Sequence, residues 1–438
     1  MNYEEAIRFL EDRIRWGMRP GTERVAALVD LLGHPQRSYP VFHVSGTNGK
    51  FSVATLITSI LSRLGLTVGT YTSPHLETVR ERIAIGEAVI EEDGFAAVLT
   101  YLRPFVEQIE KDRGDVVTYF ELLTVMAFEA FFDRPVHAAV LEAGLGGEYD
   151  ATNVADANVG VVVGVSLDHV RQFGDDLRKA AWEKAGIAKN GATIVTGVEQ
   201  DDLFAIVEAR SQERDARAVV RLGRDIELVD RLPAHRGQTI TVRGLYGEYD
   251  DVFLSLFGAH QATNAALAIG ACEAFVGEAL DQAALIEALG TARTPGRIDV
   301  VSRRPPVVLD GGHNPAAAAA VRASIEESFS YDQLIVVVGM LDDKLIEDVI
   351  GVWTPVTQQW IVAPLRTERG AAPERIVNAI IDEGIPSDAI DVVDDVAQGV
   401  AAALERATPN DLVLVFGSFH TVGDAMAWLR TSGSVPQS

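Results

Sequence analysis

The chain has almost no cysteine. Cys272 is the only one in 438 residues. No intrachain disulfide can form, which fits a reducing cytoplasm. Its apolar, helix-patterned surroundings point to an inert core thiol rather than a nucleophile. There is no run of ~18 apolar residues, so no helical membrane span is expected. The opening stretch, MNYEEAIRFLEDRI, is acidic and amphipathic, unlike a signal or transit peptide. Basic charge is also short. There are 38 Lys and Arg against 63 Asp and Glu, a formal charge of −25. Nucleic acid needs a basic footprint, and an anionic membrane surface needs the same, so neither is expected as a partner. Acidity favours solubility or a salty habitat and names no substrate. No short repeat or low-complexity tract is present, and the five alanines at 316–320 are helix filler.

The length predicts two or three domains, each with room for a core. A composition of 47% hydrophobic and 23% charged residues is that of a soluble globular protein. The chain is organised around residues 39–64, YPVFHVSGTNGKFSVATLITSILSRL. An apolar run at 40–44 reads as a strand. A tight turn follows (Gly46, Thr47, Asn48, Gly49, Lys50), and then helical spacing from Val53 to Leu64. Glycine lets backbone N–H groups crowd around a phosphate, and a helix N-terminus adds partial positive charge. Lys50 would supply a full charge. The G-x-x-x-x-G-K-[ST] pattern is only partial. Val44 and Phe51 break it, and the serine comes one place late, at Ser52. The turn alone could be an ordinary strand-to-helix connection.

Residues 3–14 and 22–32 read as helices, the first with Ile7, Leu10 and Ile14 on one face, the second with Thr22 as its N-cap. A strand is expected at 67–71, helices at 94–113 and 120–132, and continuous apolar strands at 136–142 and 158–166. Such strands alternating with helices indicate a parallel sheet covered on both faces, whose ligands sit beyond the carboxyl ends of its strands. The phosphate loop, Ser73, Glu142 and His169 all fall at such ends. Short alternating runs within 224–256 predict a small antiparallel patch, and 261–276 a long helix. Residues 291–297 (TARTPGR) read as a linker. Beyond it, strands at 307–310, 334–339, 360–363, 390–393 and 412–416 predict a second doubly wound domain. The fold class is therefore α/β: a P-loop-type, mostly parallel sheet domain with a small antiparallel patch, then a smaller Rossmann-like domain. The expected limits are 1–292, a linker at 293–297, and 298–438.

Several polar residues stand out. A carboxylate at the end of a buried strand, as at Glu142, is costly unless it meets a cation or donors. Mg²⁺ takes few protein ligands and suits it, although a plain strand-end acid is the simpler alternative. His169 is a metal candidate by its place at a strand end. Lys184 could be a solvated lysine near a helix C-terminus. Asn314 and Pro315 suit N-cap and N1 of a helix, which leaves Asp310 and His313 unexplained. Arg297 could fork onto a phosphate, or lie on the surface.

In matching order along residues 22–423, the motifs GTNGK, YTSPHL, ERI, YFELLT, EAGLGG, DATN, LDH, EKAGIAK, HQATNAALA, PGR, LDGGHNP, DDK and GS resemble the folylpolyglutamate synthase/dihydrofolate synthase family of the Mur ligase superfamily. The resemblance implies an ATP-dependent carboxylate–amine ligase. A folate or dihydropteroate carboxylate would take the γ-phosphoryl group of ATP, and L-glutamate would then attack the acyl phosphate. It implies ATP contacts from Thr47, Asn48, Gly49, Lys50, Ser52, Asn264, Arg297 and Asp310. It implies two Mg²⁺ sites held by Ser73, Glu142, His169 and a carbamylated Lys184, with K⁺ or another monovalent cation as a further expectation. Phe120, Asp150 and Ala151 would contact the pteroate end and Ser418, with His313, the incoming glutamate. Lys50, His313, Asp310 and Lys184 would form the catalytic group. A cytoplasmic monomer is implied.

Four departures fall near the acceptor and phosphate sites. Phe51 follows the loop lysine where a small residue is usual, Glu148 stands for an arginine, Val170 and Arg171 replace a Thr-Glu pair, and Leu345 replaces an aspartate. They keep two alternatives open: a Mur-type ligase with another carboxylate acceptor, and a nucleotide-binding protein without ligation.

Overall fold

The computed structural model describes residues 1–17, 19–166 and 176–433. Two helices, α1 (Tyr3–Glu11) and α2 (Glu23–Leu31), precede β1 (Val41–Ser45), the phosphate-loop turn and α3 (Lys50–Arg63). Next come β2 (Val68–Tyr71), β3 (Ile83–Ile85), β4 (Ala88–Val89), α4 (Glu92–Arg113), α5 (Tyr119–Asp133), β5 (Ala138–Glu142) and β6 (Val159–Val162). α6 (Leu177–Ala185), β7 (Thr193–Thr196), α7 (Asp201–Glu213) and β8 (Ala218–Arg221) complete an eight-stranded sheet of order β4-β3-β2-β5-β1-β6-β7-β8. Its six central and distal strands are parallel, and β3 and β4 turn back antiparallel at one edge.

Side chains alternate across a strand, and each face meets its own helices. Phe42 and Val44 of β1, with Ala138 and Val140 of β5, pack on α3 and on α8 (Ala259–Val276). Val41, Ala139 and Leu141 face α1, α2, α4 and α5. This two-sided cover is why the strands read as unbroken apolar runs. The expected antiparallel patch is β9 (Glu227–Ala234), β10 (Gly237–Arg243) and β11 (Glu248–Leu254), and α9 (Gln282–Gly290) packs beside it.

A second sheet, order β12-β13-β17-β14-β15-β16, starts with β12 (Asp299–Arg303) antiparallel to β13 (Pro306–Asp310). The parallel strands are β13, β14 (Leu334–Val338), β15 (Gln359–Val362), β16 (Ile390–Val392) and β17 (Leu412–Phe416). α10 (Pro315–Ser328), α11 (Ile346–Trp353), α12 (Pro373–Asp382), α13 (Val396–Arg406) and α14 (Phe419–Thr431) cover them.

The lobes touch at named points. Arg231 of β9 forks onto Glu327 of α10 at 2.5 and 2.8 Å, and Arg430 of α14 reaches Glu77 at 2.6 Å. The linker is clamped rather than loose. Gly311 N donates to Gly296 O at 2.9 Å, and Gly296, at φ +68°, lies against Val422 and Leu76.

Some local expectations are corrected. α1 ends at Glu11, and Ile14 sits in a separate 3-10 turn with 57% of its surface exposed. The apolar spacing therefore continues past the point where the helix stops. Thr22 occupies the N-cap position of α2 in helical rather than extended backbone, and its side chain makes no cap bond. β6 stops at Val162, four residues short of the expected end, because the chain leaves the sheet to flank the phosphate loop. β7, β8, α7 and the edge strand β12 were not read from the sequence; the first two are four residues each, too short for periodicity to separate from a loop.

Candidate active site

Four neighbouring parallel strands, β2, β5, β1 and β6, end on the same edge of the first sheet. Their order brings together the loop with Ser73, the carboxylate of Glu142, the turn 46–50 and residues 163–166. In the turn, Gly46 and Gly49 have φ of +147° and +86°. Gly49 is the N-cap of α3, and a Cβ there would lie 2.6 Å from Asn264 Oδ1 and 3.0 Å from Val163 Cγ1. Only glycine fits both the backbone and the space. Lys50 Nζ arches back over the turn, donating to Gly46 O at 3.1 Å and Thr47 O at 3.3 Å. Behind it, Gln261 Nε2 donates to buried Ser52 Oγ (3.1 Å) and Asn264 Nδ2 to Gln261 Oε1 (3.0 Å). Thr47 Oγ1 donates to Ser166 O at 3.0 Å and accepts from Ser166 N at 3.0 Å. Every residue expected at the phosphates from the first lobe is thus in one cluster. Phe51, half-buried in the first turn of α3, leaves the turn's backbone intact.

Glu142 is 3% exposed and accepts from Ser73 N at 2.9 Å. Burial pushes its carboxyl up, and Lys50, the Ser73 amide, Arg297 and Arg82 pull it back. The side chains of Ser73 and Glu142 offer hard oxygen ligands, and among the described residues Ser73 N is the only hydrogen-bond donor to this carboxylate. A divalent cation fits that chemistry. No group of three His, Cys, Asp or Glu that could hold a metal occurs among the described residues. His169, expected as a further ligand, lies outside the described residues, as does Arg171. Lys184 is 6% exposed in the last turn of α6, which corrects the solvated-lysine reading. Its helix end is clipped to the loop after β5: Glu148 N donates to Glu183 O at 3.0 Å, and Tyr149 N to Glu183 Oε1 at 3.3 Å.

Of the residues expected at the acceptor, Phe120 packs against Tyr71 (ring centroids 5.9 Å apart) and over Gly144, where a Cβ would come within 2.5 Å of its ring. Asp150 is buried. One oxygen accepts from Leu145 N (2.9 Å), the other from Thr152 N (2.9 Å) and the Thr152 hydroxyl. Burial raises its carboxyl, and these donors oppose the rise. Thr152 Oγ1 also lies 2.8 Å from Nε2 of fully buried His43. Because the hydroxyl donates to Asp150, His43 is the donor to Thr152. Ala151 is buried beside Asp150.

The second lobe contributes strand-end residues from β13 and β17. Asp310, 2% exposed, accepts from Gly312 N at 2.7 Å and Ile298 N at 2.9 Å. Burial pushes its carboxyl up, opposed first by Arg297. The Arg297 guanidinium stacks over Phe419 at 4.3 Å, and the His313 ring lies 6.4 Å from the same phenyl. Arg297 is a packed arginine at the lobe junction, not a free surface one. His313 Nδ1 is 2.9 Å from Gly311 O. Asn314 caps α10 through Ala317 N as expected. It also crosses to the first lobe: its Nδ2 donates to Asn48 Oδ1 at 2.9 Å, and Asn48 Nδ2 donates back at 3.3 Å. Ser418 caps α14 by accepting from His420 N.

Glu148 settles one departure. Its carboxylate pairs with Arg210 of α7 (2.9 Å) and with Arg214, the C-cap of α7, so its charge is compensated by these two arginines. Sequence reasoning missed Gln261, Arg82 and the Asn48–Asn314 pair. The first two lay inside quoted motifs, HQATN and ERI, but nothing in their spacing gave them a partner.

A phosphate-binding turn, a strand-end carboxylate and a facing α/β lobe define a ligase of the Mur type. The Mur ligase middle domain family matches residues 44–272, and the Mur ligase glutamate ligase domain family matches residues 296–419. The dihydrofolate synthase/folylpolyglutamate synthase of Mycobacterium tuberculosis is 36% identical, over 93% of this chain and 89% of its own. A solved folylpolyglutamate synthase of the same organism, complexed with ADP, superposes with a TM-score of 0.92 at 34% identity, covering 97% of each chain. The Escherichia coli FolC structure in complex with DHPP and ADP gives 0.87 at 31% identity, covering 99% of each chain. The chain belongs to the folylpolyglutamate synthase/dihydrofolate synthase family of Mur ligases.

Proposed function

We propose that this protein is an ATP-dependent ligase that joins L-glutamate to the carboxylate of dihydropteroate, a reduced folate, or both. The observation that carries this reading is the convergence on Glu142. Lys50 from the phosphate turn, Arg82 from the loop after β2 and Arg297 from the lobe junction all act on that one buried carboxylate. Cations gathered on a buried carboxylate near the lobe junction suit a triphosphate and a carboxylate that must meet with water excluded.

The acceptor carboxylate oxygen attacks the γ-phosphorus, the bond to ADP breaks, and an acyl phosphate forms. The glutamate amine then attacks the acyl carbon, loses a proton, and phosphate leaves. Backbone amides at Gly49 and Lys50, with the Lys50 ammonium, hold the phosphates against the start of α3. Thr47, Asn48 and Ser52 keep that turn in shape, and Asn264 braces Gly49. Arg297 and Asp310 close on the nucleotide from the second lobe. Mg²⁺ held by Ser73 and Glu142 would spread the charge of the transferring phosphoryl group. His169 and carbamylated Lys184 are the proposed ligands of a second ion. No residue group in the described chain singles out K⁺. Phe120 and Ala151 would form the apolar acceptor wall and Asp150 its polar end. His313 and Ser418 would face the incoming amine. The proposed domain limits are 1–292 and 298–438, joined by 293–297.

Among the described residues no helix is long and apolar enough to cross a membrane. The acidic composition gives no basic footprint for nucleic acid and leaves small molecules as the proposed partners, with a cytoplasmic monomer as the proposed form. The pairing of Glu148 with Arg210 and Arg214 answers one of the two motives for a different acceptor; the other, Arg171, lies outside the described residues. The test is ADP release from ATP with L-glutamate and either dihydropteroate or tetrahydrofolate. Release that needs glutamate but is indifferent to both acceptors would overturn the reading.

A further inference from the structure

Arg82 is 9% exposed, yet forms no ion pair with a carboxylate among the described residues. A buried guanidinium without a counter-ion is expensive, and such groups are ordinarily paired. The adjacent acid is not available to it. Both Glu81 oxygens are taken by backbone amides, those of Leu76 (2.8 Å), Glu77 (3.0 Å) and Thr78 (2.7 Å). Arg82 is also held still. Its Nε donates to His75 Nδ1 at 3.0 Å, its own carbonyl accepts from Thr72 N at 3.0 Å, and its guanidinium lies over the Tyr119 ring at 5.4 Å. With Nε occupied, the two terminal amines form a fixed fork with no hydrogen-bond partner among the described residues. That is the geometry that grips a carboxylate with two parallel bonds.

Its position says which carboxylate. Tyr119 and Phe120 open α5, and Phe120, of the proposed acceptor wall, packs against Tyr71. Arg82 O accepts from Thr72 N, one residue before Ser73, whose amide donates to Glu142. Arg82 therefore joins the Tyr119–Phe120 start of α5 to the loop that meets Glu142.

We propose that Arg82 is the binding residue for a carboxylate of the acceptor, holding it by a bidentate fork pre-set by His75 and Tyr119. The inference rests on the ligase reading above and adds the group that anchors its first substrate. A phosphate contact would be the competing use of the same fork.

The experiment compares wild type, Arg82→Gln and Arg82→Lys, and measures KM for acceptor and for ATP, with direct binding of the acceptor and of its carboxamide analogue. Arg82→Gln is expected to raise the acceptor KM about 10- to 100-fold, the loss typical of a charged hydrogen-bonded contact. The ATP KM should stay within about threefold, which also reports a folded phosphate site. Arg82→Lys, which keeps charge without the fork, should fall between. In wild type the acid should bind more tightly than the amide, and in Arg82→Gln that preference should vanish. A preserved preference, or equal losses for ATP and acceptor, would overturn the assignment. If wild type turns over neither folate acceptor, the ligase reading fails on its own. The acid-versus-amide comparison, run with whichever carboxylate is turned over, still decides Arg82.

Discussion

Replacing Gly49 with alanine should damage the phosphate turn in two separable ways. The residue sits at φ +86°, where an L side chain costs about 1–2 kcal/mol. The new Cβ would also lie 2.6 Å from Asn264 Oδ1, a contact that cannot persist. Asn264 is 4% exposed and braced through Gln261 to Ser52, so moving it breaks a buried hydrogen bond worth about 1–3 kcal/mol. The two terms together come to about 2–5 kcal/mol. At about 2–4 °C per kcal/mol for a domain of this kind, the melting temperature should drop by roughly 4–20 °C. Gly65 supplies the control. Its φ is +85°, and a Cβ there would meet nothing within 4 Å, so Gly65→Ala isolates the backbone strain. Thermal unfolding of both variants gives the difference, and calorimetric titration with a non-hydrolysable ATP analogue should show a loss of at least about tenfold for Gly49→Ala alone, since a contact of about 1.4 kcal/mol is a tenfold change. Equal melting shifts and unchanged nucleotide affinity would refute the argument.

Lys50→Ala should lower turnover by several orders of magnitude with little change in melting temperature, because its charge serves the transferred phosphoryl group rather than the fold; near-normal turnover in a coupled ADP assay would contradict the site. Asn48→Ala removes the amide pair to Asn314 while leaving the α10 cap in place, and should raise the ATP KM about fivefold, the worth of about one hydrogen bond; an unchanged KM in initial-rate assays would mean that the lobe contact does not assist nucleotide binding. His43 titrates near 6.5 when unfolded and is pushed down to about 3 by burial and by Lys189. Its folded value is depressed, so the unfolded chain binds the extra proton and stability is lost as pH falls from 6.5 toward 3. By pH 5 that amounts to about 2 kcal/mol, which should appear in denaturant titrations as the difference between wild type and His43→Phe shrinking from pH 7.5 to pH 5.0; a pH-independent difference would sink it.

Residues with local causes were legible in the sequence. A glycine turn between an apolar strand and an apolar helix follows from local sequence, and Asn314 followed by Pro315 caps a helix wherever it lies. The parallel sheet followed from strands buried on both faces, and the inert Cys272 from its apolar helix. What depends on distant partners was not legible. Glu148 looked like a charge change beside the acceptor until α7 brought Arg210 and Arg214 onto it. Lys184 looked solvated until the end of α6 was tucked under the loop after β5. Arg82 carried no signal at all, because what marks it is the lack of a carboxylate bonded to its fork among the described residues, and that is defined only once its neighbours are in place.

The sequence by itself determined the two sheets, the phosphate turn and the strand ends where chemistry collects, because these follow from periodicity, turn geometry and the cost of burying backbone. The tertiary structure alone decided which strand ends are neighbours, which charges are compensated, and how the second lobe meets the first across Asn48 and Asn314. Those are contacts between residues as much as 353 positions apart, and no local pattern encodes a partner at that distance.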